Sequence, residues 1–314
     1  MNFQSIEYII TTANERSISK AAKVLHITQQ TLSAHISSVE RELGCALFVR
    51  HIPLEITYAG SEFLKYAENI QQQIKRMKRT IHEIIGEEKG LLKIGVADNR
   101  DRIVLLPIIL DFQKKHPGIR IKVVEDTNEA LVQRLLKGET DVCISNFSAQ
   151  QGGIRQRDLY RERVVFVVQK ELFLQVYEEQ AESVIQSAEE GNYQPLQKCP
   201  LLAGHEQDIS GRFSRNVMEN FGEQPDILVE AENMGLVLGL CAEGLGGCFC
   251  PEIIARNTLT EDQLKKVLII PLGQQAEYLI RLGWKSDWSV IDAFVETACE
   301  QIKSVVKTHN NLEI

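Results

Sequence analysis

The chain has no long apolar run: nowhere do its 314 residues approach the ~18 consecutive apolar positions needed to cross a bilayer. Its first segment, MNFQSIEYII, also lacks the basic stretch and apolar core of a secretory leader, so the expected location is the cytoplasm. Cysteine is scattered at seven positions, 45, 143, 199, 241, 248, 250 and 299, with no CxxC pair. That odd, unpaired pattern excludes a disulfide framework and points to reduced thiols.

Several enzyme signatures are missing too. There is no GxSxG, no HExxH and no His/Cys set at metal-ligand spacing, and 244-GLGG-247 follows a helical pattern without the third glycine of a dinucleotide loop. The expectation is a non-enzyme with no metal and no cofactor. An excess of positive charge is absent as well, since the net charge is −8, which argues against a non-specific polyanion binder. The charge is uneven, however. Residues 1–90 hold 11 Lys/Arg against 10 Asp/Glu, leaving −9 for the remainder. A phosphate-facing surface therefore belongs in the N-terminal part.

What is present falls into three successive textures. Phe3, Ile6, Ile9 and Ile10 predict one amphipathic helix, and Ser19 is expected to cap a second that buries Ala22 and Leu25. Thr28 caps a third, along which Leu32, Ile36, Val39 and Leu43 recur at spacings of 4, 3 and 4 before Gly44 ends it. Two helices joined this tightly form a helix-turn-helix pattern. Roughly opposite the apolar stripe stand Gln30, Ala34, Ser37 and Arg41, flanked by Ser33 and Ser38. A solvated face is more often rich in Lys and Glu; short, amide and hydroxyl side chains suit close approach to base edges in a major groove. The stretch 47-LFVRHIPLEITYAG-60 then reads as a hairpin wing in which Leu54, Ile56 and Tyr58 alternate, with Arg50 at its base facing either phosphate or solvent.

The second texture is a long helix whose Phe63, Ala67, Ile70, Ile74, Met77, Ile81 and Ile84 make an unbroken 4, 3 heptad seam. A second copy of the chain is the simplest partner for it, and an internal seam against the C-terminal part is the rival. The basic cluster 75-KRMKR-79 surrounds Met77 as a solvated flank.

From Leu91 onward strands and helices alternate, which predicts a parallel sheet covered on both faces. Ligands in such sheets bind at the carboxyl ends of strands beside helix N-termini. Those places are 98-DNRD-101, Thr127-Asn128 and 145-SNF-147. A second α/β set follows from about 165 to 266, with later strands at 267-VLIIPL-272 and 278-YLIRLGW-284 and a closing helix over 288–307.

The framework of Ala21-Ala22, Leu25-His26, Gln29, Leu32-Ser33, Ile36, Leu43-Gly44, Leu47-Phe48, Arg50, Thr57 and Gly60, followed by a long helix and two α/β lobes, resembles the LysR-type bacterial transcriptional regulators. The resemblance covers essentially the whole chain. It implies an α+β multidomain protein: a winged helix-turn-helix over 1–58, a dimerising linker helix over 59–89, and a two-lobed, periplasmic-binding-protein-like effector domain over 90–314. Lobe I would span about 90–163 and 267–307, and lobe II about 164–266. The implied function is sequence-specific binding of double-stranded promoter DNA, switched by a small molecule such as an amino acid or organic acid, in a dimer or tetramer.

Carried over by position, Thr28, Gln29, Gln30, Ser33, His35, Ser37 and Arg50 would face DNA, and Ser19 of the second helix with Ala34 and Arg41 of the third helix's open face complete the expected DNA-binding set. Asp98, Asn99, Arg100, Thr127, Asn146, Phe147, His205, Ser210 and Arg212, with the region near Gly246 and Cys248, would line the effector cleft. Within that set, Arg100 between Asp98 and Asp101 favours a cationic or zwitterionic effector, whereas His205, Ser210 and Arg212 could hold a carboxylate. The chain also departs from the family pattern. Gln30 stands where Pro is most common, the wing is about one residue short, and 171–193 looks like an acidic helical insertion suited to a subunit contact. An alternative reading makes Cys199, in Lys198-Cys199-Pro200, a redox switch. A ligand carrier without DNA function is the other.

Overall fold

The computed structural model describes residues 1–308 except 50, 52, 86–88, 98–100, 149–151, 205–207 and 222–224. The chain divides into two compact units, Met1–Glu88 and Lys89–Ile314.

The first unit begins with α1 (Phe3–Glu15), whose free first-turn N–H of Ser5 donates to the Asn2 side chain at 2.9 Å. In α2 (Ile18–Val24) the cap is Ser17, not the expected Ser19: the extended backbone at Ser17 lets its hydroxyl accept from Lys20 N. The turn to α3 (Gln29–Leu43) passes through His26 at φ 54°, a left-handed residue. Thr28 caps α3 by accepting from Thr31 N at 3.1 Å, and Gly44 closes it at φ 72°. Leu32, Ile36 and Val39 are buried as the spacing predicts, but Leu43 is exposed because the stripe drifts off the core in the last turn. Tyr8, Ile9, Ala21, Leu32 and Ile36 form the core with Leu47 and Phe48.

The wing is a two-stranded hairpin, β1 (Phe48–Val49) against β2 (Glu55–Ile56), with Phe48 opposite Ile56. Glu40 of α3 ties it down, its Oε1 accepting from Leu47 N at 2.8 Å and from Phe48 N at 3.3 Å. Tyr58 is not part of the wing; it opens α4 (Tyr58–Ile84). Thr57 donates to the Ala46 carbonyl and accepts from Gly60 N, which pins the start of α4 beneath the wing. Gly60 is required there: a Cβ would stand 2.1 Å from the Leu47 carbonyl oxygen.

The second unit is a mixed sheet, not the parallel one expected. Its strands are β3 (Gly90–Ala97), β4 (Ile119–Asp126), β5 (Val142–Ser145), β6 (Arg155–Gln169), β7 (Leu201–Ala203), β8 (Ile227–Glu230), β9 (Cys248–Pro251), β10 (Val267–Pro271) and β11 (Glu277–Trp284). β3 pairs in parallel with β4 and β5, whereas β11 is antiparallel to β5 and β6. The 15-residue β6 serves both sets, pairing with β11 over 155–163 and with β9 and β10 over 164–169. By this pairing β10 groups with the second set, so the expected lobe I segment loses 267–271. β7 and β8 form a separate parallel pair bridged to Gly247.

Helices α5 (Leu106–Lys115), α6 (Asn128–Leu136), α7 (Lys170–Tyr177), α8 (Ala181–Glu189), α9 (Ile209–Glu219), α10 (Met234–Ala242), α11 (Glu252–Thr258), α12 (Glu261–Lys266) and α13 (Ser289–Thr308) complete the unit. Side chains of β6 alternate between two cores. Val165 and Val167 enter the cluster that also holds Ile94, Phe112, Leu238 and Phe294, while Val164, Phe166 and Val168 enter the other with Phe173 and Leu201. Residues 171–193 belong to that second core: Phe173, Tyr177, Ala181, Val184 and Ala188 are buried, while the outer face carries Glu171, Glu178, Glu182 and Glu189 together with the exposed Leu174. The segment is therefore an integral part of the second set's core. Where β6 crosses between the sets, Glu252 is 4% exposed and accepts from Arg163 at 2.5 Å and Arg256 at 2.7 Å. Burial pushes its carboxyl up, and the two guanidinium partners outweigh that and hold it below the usual range.

Candidate functional site

On the first unit, α3 presents a shallow concavity lined by Gln29, Gln30, Ser33, Ala34 and Ser37. Gln29, Gln30, Ala34 and Arg41 are exposed, and Ser33 and Ser37 half-buried. Ser19 lies beside this face, its hydroxyl donating to Gln29 Oε1 at 2.9 Å. With its oxygen engaged, Gln29 offers its NH2 outward as a donor. Thr28 spends its hydroxyl on capping and on Thr31 Oγ1 at 2.8 Å. His35 is half-buried, edge-on to Tyr8 with ring centroids 5.0 Å apart, so it braces α3 against α1 rather than standing out with Gln30. Arg50 lies outside the described residues. The other wing residues bring no Lys or Arg, and His51 pairs with Glu55 at 3.4 Å.

The heptad seam of α4 divides. Ala67 is 2% exposed against Ile6 and Ile10, and Phe63 packs on the same clusters, so these two belong to the unit's own core and not to a partner. Ile70, Met77 and Ile81 are exposed, Met77 at 58%, and Ile74 is half-buried. The Ile84 side chain lies outside the described residues.

In the second unit the carboxyl ends of β4 and β5 meet the start of α6. Asp126 accepts from Thr127 N at 2.9 Å, and Thr127 caps α6 by accepting from Ala130 N at 3.3 Å. The buried Asn128 accepts from Ser145 Oγ at 2.6 Å and from Asn146 N at 3.0 Å, fixing the loop over 145–147 to the helix. Phe147 does not line a cleft: its ring is buried with Leu131 and Cys143, and its carbonyl accepts from Arg281 at 2.5 Å. From the second set, α9 brings Ser210, which is buried in the first turn, and Arg212. Arg212 is hydrogen-bonded to Glu129 in the first turn of α6, so this ion pair joins the two sets. Burial raises the Glu129 carboxyl, and the bonds from Arg212 and the backbone N–H, with the charge of Arg212, more than reverse this and lower it. Two helix N-termini, each carrying a partial positive charge, flank the bridge. Asp98, Asn99, Arg100 and His205 lie outside the described residues.

Glu129 was missed by sequence reasoning, because a Glu in a first helical turn reads as a dipole partner. Cys199 is corrected: it is wholly buried in the second core, and burial pushes its thiol up to about 12. Cys143 is likewise raised to about 11, and Cys241 donates to the Val167 carbonyl at 3.1 Å. Among the described residues no cluster fit for a metal occurs, and no helix is long and apolar enough to cross a membrane.

Residues 3–61 match the family model described as a bacterial regulatory helix-turn-helix protein of the lysR family, and residues 86–301 match the LysR substrate binding domain. The HTH-type transcriptional regulator AlsR of Bacillus subtilis is 25% identical over 308 residues, covering 97% of this chain and 98% of AlsR. Among solved structures, full-length CbnR complexed with its target DNA has a TM-score of 0.60 at 21% identity, covering 96% of this chain and 100% of that one. A full-length OxyR variant from Pseudomonas aeruginosa has a TM-score of 0.67 at 21% identity, covering 97% of this chain and 96% of that one.

Proposed function

This chain belongs to the LysR family of transcriptional regulators, which bind DNA through the helix-turn-helix and carry an effector-binding domain, and from that premise we propose how it reads DNA and what it senses. Gln29, Gln30, Ser33 and Ser37 contact base edges of promoter DNA in the major groove, with Arg41 and Arg50 on phosphates. The lack of excess positive charge in the first unit is offset by avidity: two copies joined along Ile70, Ile74, Met77 and Ile81 bind two half-sites at once. The working place of such a protein is the cytoplasm, with the bacterial chromosome.

The effector is a small organic acid, amino acids included. The observation that carries this is the Arg212–Glu129 bridge between two helix N-termini. A carboxylate already sits where Arg212 and the helix dipoles converge, and a free carboxylate of similar size would compete for the same partners. Of the cationic or zwitterionic effectors expected from 98-DNRD-101, a zwitterionic amino acid fits both readings. Displacing Glu129 removes the one described ion pair between α6 and α9, which alters how the two lobes hold together. A gel shift of the full chain on the DNA upstream of its own gene, repeated with a panel of organic and amino acids, tests the reading. A response to cationic amines and not to acids would overturn it.

A further inference from the structure

The second lobe holds a cavity of about 420 Å³ whose lining includes neither Arg212 nor Glu129. Its walls come from the loop after α8, the later turns of α9, and the short 3-10 turn Gln274–Ala276. Tyr193 and Phe213 form one side, with ring centroids 5.6 Å apart at 66°, and Phe221 adds a third ring. Both Tyr193 and Phe213 are half-buried against the second core, and the Tyr193 hydroxyl donates to the Leu272 carbonyl at 2.5 Å, so the rings are held in place without a ligand.

The polar part of the lining consists of carboxamides, and among the described residues no charged side chain contributes to it. Some of these amides are used internally: Gln194 Nε2 donates to the Asn220 carbonyl at 2.8 Å, and Asn220 Nδ2 to the Asn216 carbonyl at 2.6 Å. The side-chain amides of Asn216 and Gln275 donate no hydrogen bond among the described residues. Space for Gln275 is kept by Gly191, where a Cβ would come within 3.1 Å of Gln275 Nε2.

We propose that this cavity is a second ligand site, for an uncharged nucleobase or nucleoside. Aromatic rings supply faces for stacking a flat heterocycle, and a carboxamide presents a donor and an acceptor side by side, matching the paired groups on a base edge. The volume is near the lower end of small-molecule pockets, about 300–1,000 Å³, which suits one base with its sugar. A phosphate would enter with no described cation in the lining to meet it, so nucleotides are disfavoured. The site is independent of the organic-acid reading, although α9 carries Arg212 at its start and the cavity wall in its later turns.

Calorimetric titration of the full chain with adenosine, guanosine, AMP and glucose tests the proposal. A purine nucleoside binds, AMP binds at least about tenfold more weakly, and glucose gives no heat. Asn216→Leu and Gln275→Leu, both at exposed positions, each weaken nucleoside binding about tenfold, as the loss of a bidentate amide contact predicts. Organic-acid binding is unchanged in Gln275→Leu, which separates failure here from failure at the bridge. Absence of nucleoside binding at millimolar concentration, tighter binding of AMP or glucose, or unchanged affinity in both variants would overturn it.

Discussion

Arg212 at the start of α9 is hydrogen-bonded to Glu129 at the start of α6, 83 positions away in sequence, and this pair links the two α/β sets. The bridge is partly exposed, with side-chain exposures of 45% and 62%, so it holds the lobes only weakly, by roughly 0.2–1 kcal/mol. A weak intramolecular occupant is what a displaceable latch requires. Replacing Glu129 with Gln removes the competitor, so affinity for an organic acid rises up to about fivefold, measured by calorimetry. Because the Glu129 carboxyl is lowered by Arg212, the bridge is intact above its ordinary value of 4.5 and is lost as pH falls through its depressed value in the folded chain.

Glu252 is a different kind of ion pair. It is buried between Arg163 and Arg256 at the crossing of β6, and Glu252→Ala leaves these guanidinium groups without their partner. Because Arg163 and Arg256 are 29% and 37% exposed and can turn to water, the expected cost is about 1–3 kcal/mol, read as a lower denaturation midpoint of the second unit. The sign with pH follows from the lowered carboxyl: stabilisation is present above the ordinary 4.5 and is lost in acid as Glu252 protonates.

The α4 seam separates folding from assembly. Met77→Glu or Ile81→Glu places charge on exposed apolar positions, so light scattering should show loss of the proposed dimer while the folding free energy of the first unit, compared under conditions where both proteins are monomeric, stays within about 0.5 kcal/mol of the parent. Ala67→Glu buries a charge against Ile6 and Ile10 and should unfold that unit outright.

Gly60→Ala tests the joint between wing and α4. Its Cβ would collide with the Leu47 carbonyl, which has no flexible side chain to yield, so the cost is about 3 kcal/mol or more. The variant should lose DNA binding at a temperature where the parent retains it.

Thiol labelling separates the redox reading from the present one. Cys45 is exposed and reacts quickly with a disulfide reagent, whereas Cys199, buried and with its thiol pushed up, reacts only on unfolding. DNA binding should be unchanged by peroxide.

Local features were legible in the sequence, and non-local ones were not. The Thr28 cap, the Gly44 stop and the Leu32/Ile36/Val39 stripe depend on residues a few positions apart. Ser17 and Ser19 are chemically equal, and only the extended backbone at Ser17 decides the cap. His26 adopts a left-handed conformation that a histidine does not advertise. The double role of β6 was hidden, because its apolar half reads as an ordinary strand until β9, β10 and β11 pair with it. Cys199 sits before a proline, which suggested a loop, yet Leu196 and Leu201 bury it. The heptad of α4 was correct as a pattern but could not show that Phe63 and Ala67 are used within the unit. In the candidate effector cleft, Arg212 was legible as a carboxylate ligand, but the carboxylate it holds belongs to Glu129.

The most direct measurement is a footprint of the full chain on the DNA upstream of its own gene, with and without an organic acid, for the parent and for Arg212→Ala. The account predicts a specific footprint in both proteins, altered by the acid in the parent and unaltered in Arg212→Ala. An acid response of equal size in Arg212→Ala, or no sequence-specific footprint in the parent, would contradict it.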